Sequence, residues 1–195
     1  VRPHGRWRAE FTGQGNHAGT TLIPDRHDPV IPVAETILAS REAAEREGCV
    51  TTVGRINVEP GGTNVIASTT TMWLDCRAED PDTVTKVVEE VQRTSEQAAD
   101  KQGCQVVWAR ESWTDRTAFD DDLRHRMLQV LGEETPQLST GAGHDAATLA
   151  ATLPTGMLFV RNPTGASHCP AESASAEDCE AGAEALRTVL EELVK

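Results

Sequence analysis

The chain opens on alternation. In GRWRAEFTG, residues 5–13, the charged Arg6, Arg8 and Glu10 interleave with the apolar Trp7, Ala9 and Phe11, the period of a half-buried strand. GQGNHAGTTLIPDRHDP, residues 13–29, follows with no period at all, as expected for a loop. A helix is predicted next, with Asp28 as N-cap, Pro29 in the first helical position, Ala34, Ile37 and Leu38 as its apolar stripe and Gly48 as its stop. Residues 50–60 read as a strand, GGTN (61–64) as a turn, and the β-branched run from about Val65 to Arg77 as one further strand. Asp80-Pro81 starts a second helix with Val84, Val87, Val88 and Val91 on one stripe, ending at Gly103, and CQVVWARESW is a fourth strand.

Strand, helix, strand, strand, helix, strand is the split βαβ order. It predicts an α+β, ferredoxin-like unit: a four-stranded antiparallel sheet with two helices on one face, over residues 1–115. The character changes over residues 116–195. DDDLRHRMLQVLG reads as a short helix, STGAGHDAATLAATL as a glycine-rich turn entering a helix, and TGMLFVRN as a short buried strand. PTGASHCPAESAS is an irregular loop. The tail from Ser175 is a helix with a Ser175/Asp178 capping box and Ala183, Leu186, Val189, Leu190 and Leu193 on one face. One strand cannot form a sheet alone, so this part reads as the edge of an α/β domain.

Composition narrows the function. Eighteen Lys and Arg against 31 Asp and Glu give a formal charge of −13, which argues against nucleic-acid partners but not against a small anion held by one arginine. No apolar run is long enough to cross a bilayer, and no signal peptide is visible. Five widely spaced cysteines without C-x-x-C point to a reducing cytoplasm rather than a disulfide framework. A start at Val1 is expected of a processed product or a piece of a longer protein.

Three histidines stand in Gly-, Ala- and Ser-rich segments: His17 in GNHAGTT, His144 in GAGHDA and His168 in GASHCPAE. Glycine lets the backbone turn sharply and approach a ligand. One such loop would be a turn with an incidental histidine; three favour function. His27 and His125 sit among charged residues and read as solvated. Arg77 has a fork suited to a substrate carboxylate, although pattern alone favours an ion pair with Asp75, Glu79 or Asp80. His168 and Glu172 are four residues apart, an isolated pair.

Four motifs in order, GNHAGTT with Arg26 and Asp28, NVI (64–66) with Asp75 and Arg77, TGAGHDA (140–146) and GASHCPAE (165–172), resemble the metal-dependent amidohydrolases of peptidase family M20. The nearest branch is the allantoate amidohydrolase, N-carbamoyl-L-amino-acid hydrolase and β-ureidopropionase group. The resemblance implies that residues 1–115 are a lid that also forms a homodimer interface. Residues 116–195 would then be the C-terminal part of an α/β zinc-peptidase-like catalytic domain. It implies that His17 stabilises an oxyanion in the partner's site, that Asn64, Arg77 and His144 bind a small anionic ureido substrate, and that His168 is one ligand of two divalent ions, Zn or Mn. The family's upstream half, with its H-x-D motif, bridging Asp, Glu-Glu pair and further His, has no counterpart here, so this chain alone is expected to be inactive. Hydrolysis of allantoate by a metal-held water is the expected function, with N-carbamoyl-L-amino acids or β-ureidopropionate as alternatives. A non-catalytic dimerisation or ligand-binding module is the alternative of another class.

Overall fold

The computed structural model describes residues 1–195, which divide into two compact units, Val1–Arg116 and Thr117–Lys195. The first contains β1 (His4–Thr12), β2 (Asn16–His17), α1 (Val30–Glu47), β3 (Val50–Glu59), β4 (Val65–Ile66), β5 (Thr69–Arg77), α2 (Pro81–Lys101) and β6 (Gln105–Thr114). The four long strands form one antiparallel sheet in the order β3-β5-β1-β6. The central pair is in continuous register from His4 opposite Arg77 to Thr12 opposite Thr69.

The alternation seen in the sequence sets the two faces of this sheet. Trp7, Ala9 and Phe11 of β1 and Met72, Leu74 and Cys76 of β5 are buried on the face that the helices cover. The valines of α2 at 84, 87, 88 and 91 complete that core. The intervening positions form an open, charged face: Arg6 pairs with Asp75 at 3.2 Å and Arg8 with Glu10 at 3.1 Å. The α2 start follows the expected chemistry, with the Asp80 carboxylate accepting from the Thr83 amide at 2.9 Å.

Helix α1 departs from the reading in two ways. It begins one residue late, at Val30, whose amide is capped by Asp28 Oδ1 at 3.0 Å. Its inner face is Pro32, Val33, Thr36, Ser40, Ala43 and Ala44, whereas Leu38 and Ala34 face outward. The small inner residues let α1 pack closely against α2 and the sheet, and Gly48 ends it with φ 66°, as expected. The strand expected from Val65 to Arg77 is also broken. Ser68 turns the chain, its carbonyl accepting from Gly13 and its amide donating to Glu59, each at 2.9 Å, and β4 pairs instead with β2.

The second unit contains α3 (Asp121–Leu131), α4 (Asp145–Leu149) and α5 (Ala176–Leu193). Asp120 caps α3 and Ser175 caps α5 through the Asp178 amide, as its sequence signature predicts. Leu128 and Val189 are buried where α3 packs against α5. The expected α5 stripe is only partly covered, since Leu186 and Leu190 are about half exposed. TGMLFVRN (155–162) is not a strand. It is irregular and only partly covered, because no second strand in this unit can pair with it. Val160 nonetheless packs against α5 where Gly182 leaves room; a Cβ there would lie 2.7 Å from its methyl. No helix is long and apolar enough to cross a membrane.

Phe11 is fully buried at the centre of the sheet. Phe11→Ala should therefore lower unfolding free energy by about 3–5 kcal/mol in urea denaturation. A loss below about 1 kcal/mol would contradict the assigned core face.

Candidate functional site

The aperiodic loop after β1 is held by its own backbone. Asn16 and His17 form β2 and pair with Ile66 and Val65, and the Ala18 amide donates to the Asn64 carbonyl at 3.0 Å. The structure thus brings His17 and Asn64 together. Both are exposed. The His17 amide donates to Asn16 Oδ1 at 2.8 Å, and its carbonyl accepts from the Thr21 hydroxyl at 2.8 Å. Its ring nitrogen Nδ1 accepts from the Gly19 amide at 3.0 Å. An amide nitrogen can only donate here, so Nδ1 is the bare nitrogen and the neutral ring carries its proton on Nε2.

Arg26 closes the loop. Its Nη2 donates to the Ala18 carbonyl at 2.6 Å and its Nε to the Thr21 carbonyl at 3.1 Å. His27, expected to be only solvated, is exposed but makes one tie, from Nδ1 to the Gln102 carbonyl at 3.1 Å. It lies against Gly103, where any side chain would collide with the ring. The sequence registered Arg26 only as part of a motif; a lone cation inside a glycine-rich loop was the available signal.

Arg77 lies elsewhere. It pairs with His4 at the opposite end of β1 from the loop. Eight residues of strand at about 3.3 Å each separate it from Thr69, roughly 26 Å. Its guanidinium holds Asp75 in a fork, Nε to Oδ1 at 2.6 Å and Nη2 to Oδ2 at 3.0 Å. This is the ion pair that pattern alone favours. Burial opposes ionisation of Asp75, but the hydrogen bonds from Arg77 and Arg6 outweigh it and keep the carboxyl below the usual aspartate range.

His144 caps α4, its Nδ1 accepting from the Ala146 amide at 3.0 Å. His168 is exposed and adopts a left-handed backbone with φ 59°. Glu172 spends its carboxylate on the His168 amide (3.0 Å) and the Ser167 hydroxyl (3.2 Å). No group of three or more His, Cys, Asp or Glu side chains is placed to hold a metal ion. The residues of this chain therefore do not make a metal centre by themselves; His168 offers one imidazole.

The fold and the order of these segments are those of a known hydrolase group. Residues 26–192 match peptidase family M20/M25/M40, and the chain belongs to that family. It is 34% identical over 180 residues to an N-carbamoyl-L-amino acid amidohydrolase of Geobacillus stearothermophilus, covering 90% of this chain and 44% of that protein. It is 28% identical over 196 residues to the allantoate amidohydrolase of Escherichia coli, covering 96% and 47%. The crystal structure of AtUAH in complex with glyoxylate superposes with a TM-score of 0.91 at 27% identity, over 97% of this chain and 46% of that one. The chain thus spans a little under half the length of these relatives. The family generally uses divalent metals.

The Asp75 pair carries a pH dependence. A carboxyl whose folded pKa is depressed contributes stability above its unfolded value and loses it as pH falls through the folded one. The stability difference between the wild type and Asp75→Asn should be present at neutral pH. It should shrink as pH drops through and below the ordinary value of 3.8. A difference independent of pH in equilibrium unfolding would refute the assignment.

Proposed function

We propose that this chain supplies the lid and the C-terminal catalytic segment of a homodimeric amidohydrolase that cleaves a ureido or amidine C–N bond in a small carboxylate-bearing substrate. In this reading Val1–Arg116 is a ferredoxin-like lid. One observation carries it: Arg77 lies at one end of β5 and the loop that carries the His17–Asn64 pair at the other, beyond Thr69, with roughly 26 Å of strand between Thr69 and Arg77. A substrate of the size of allantoate cannot touch both in one protomer. The two serve one reaction only if they come from different copies of the chain.

The surface supports such pairing. β3 is a sheet edge, and its Ile56 and Val58 point to the helix side yet are 48% and 36% exposed. Ile31 and Leu38 on the outer side of α1 are likewise open, at 42% and 63%. An unpaired edge beside exposed apolar side chains is a dimerisation surface in kind. A second copy is the occupant that also completes the site.

Each residue then has a task. Arg77, oriented by Asp75, faces the substrate carboxylate. His17 of the neighbouring copy donates from Nε2–H to the oxygen that gains charge as the carbonyl or amidine carbon becomes tetrahedral. Asn64 beside it binds a polar group of the same substrate. Assigned to His144 is a further contact through the ring edge that its cap leaves outward, and to His168 the role of a single ligand. Water activation belongs to residues outside this chain, so the 195 residues alone should show no turnover. The five free thiols support a reducing, cytoplasmic setting.

Allantoate is the first substrate reading. The higher identity to an N-carbamoyl-L-amino acid amidohydrolase, 34% against 28%, favours N-carbamoyl-L-amino acids as the second. Both present a ureido group and a carboxylate, and rates on the two, with and without chelator, separate them.

The test is mixing, in the polypeptide extended to the length of its relatives. His17→Ala should lower kcat by roughly 10²–10³, and Arg77→Ala should raise KM. Assayed at substrate well below the raised KM, where neither variant alone turns over appreciably, the two co-refolded variants should restore about one quarter of wild-type activity, because half the dimers are mixed and each has one intact site. No recovery would place both residues in one protomer's site and overturn the proposal.

A further inference from the structure

We infer that Arg26 is a positioning residue for His17. This rests on the proposed oxyanion role of that ring. Two independent features converge on the segment 17–21. The half-buried Arg26 guanidinium donates to two backbone carbonyls, those of Ala18 and Thr21. In a chain with 31 acidic residues, a cation bonded to carbonyls instead of a carboxylate is serving the backbone. The bonds it makes span the turn whose middle residue, Gly19, points its amide at Nδ1 of His17.

The consequence is chemical. With Nδ1 occupied by an incoming N–H, the ring is fixed in the tautomer whose outward nitrogen, Nε2, is a donor. An oxyanion needs a donor, and an imidazole flipped or in the other tautomer would present a lone pair to it. Gly19 is part of the device, because a Cβ there would lie 3.2 Å from Cε1 of the ring and shift it by a few tenths of an ångström. Arg26 never approaches the reacting atoms in this scheme; it holds the turn that holds the ring. Loss of the tie lets Gly19 swing away and the ring sample both tautomers.

The experiment is NMR on the 195-residue chain labelled with ¹⁵N, at mildly alkaline pH. A correlation through the hydrogen bond should link the Gly19 amide nitrogen to Nδ1 of His17. Arg26→Gln should abolish it and speed Gly19 amide exchange about tenfold; Arg26→Lys should retain part of it. The His27 ring, whose Nδ1 must donate to the Gln102 carbonyl, reports whether the unit is still folded. Should its signature vanish in Arg26→Gln, Arg26→Lys and Gly19→Ala carry the comparison. Absence of the correlation in the wild type, or its survival unchanged in folded Arg26 variants, overturns the inference. In the extended enzyme Arg26→Gln should lower kcat about tenfold with KM unchanged. A lost correlation with His17→Ala fully active would instead sink the oxyanion role and leave the positioning intact.

Discussion

Nine antiparallel residue pairs between β1 and β5 set the scale of everything else in this molecule. They align Trp7, Ala9 and Phe11 with Met72, Leu74 and Cys76 on one face, which forces both helices to that side. They also put Arg77 and the His17 loop at opposite ends of the ladder. A slip of one residue would turn the buried row outward and expose the core, so the register is not adjustable. The separation of the candidate residues is therefore a property of the core, not of flexible side chains. Function has to be arranged around it.

That constraint divides the labour between a rigid part and a local one. The sheet fixes where the loop begins, through the Gly13 amide on Ser68 and the β2–β4 pair. Within the loop, order comes from short-range bonds: Asn16 to the His17 amide, Thr21 to its carbonyl, Arg26 across the turn. An exposed ring on a loop is ordinarily mobile. Here its backbone and one ring nitrogen are both tied, so the remaining nitrogen is presented as a donor. Cys76 shows the opposite case. Burial, with Cys49 adjacent, pushes its thiol up to about 12, and it is an inert part of the core.

Much of the first unit was legible in the sequence because period and punctuation agree there. Alternation marks β1, the valine stripe marks α2, and Asp80-Pro81 and Gly48 mark helix ends found in the fold. What was misread depended on tertiary context. Leu38 looks like a core residue by type, yet α1 meets the sheet through smaller side chains, and the leucine faces out. TGMLFVRN has the composition of a buried strand, but a strand exists only with a partner, and none is present in its unit. For the site, the sequence named the imidazoles, while the pairing of His17 with Asn64 and the remoteness of Arg77 needed the register. The part of Arg26 was hidden because it acts on carbonyl groups, which no residue pattern displays.

In the proposed dimer the His17 end of one copy meets the Arg77 end of another. Spin labels at Thr20→Cys in one protomer and Glu79→Cys in its partner, with the native exposed Cys169 and Cys179 replaced, measure this directly in the extended protein with substrate bound. The inter-protomer distance should be well below the distance between the same two positions within one chain, which is set by the roughly 26 Å of strand between Thr69 and Arg77. A distance between protomers longer than that intramolecular span would contradict the proposed dimer.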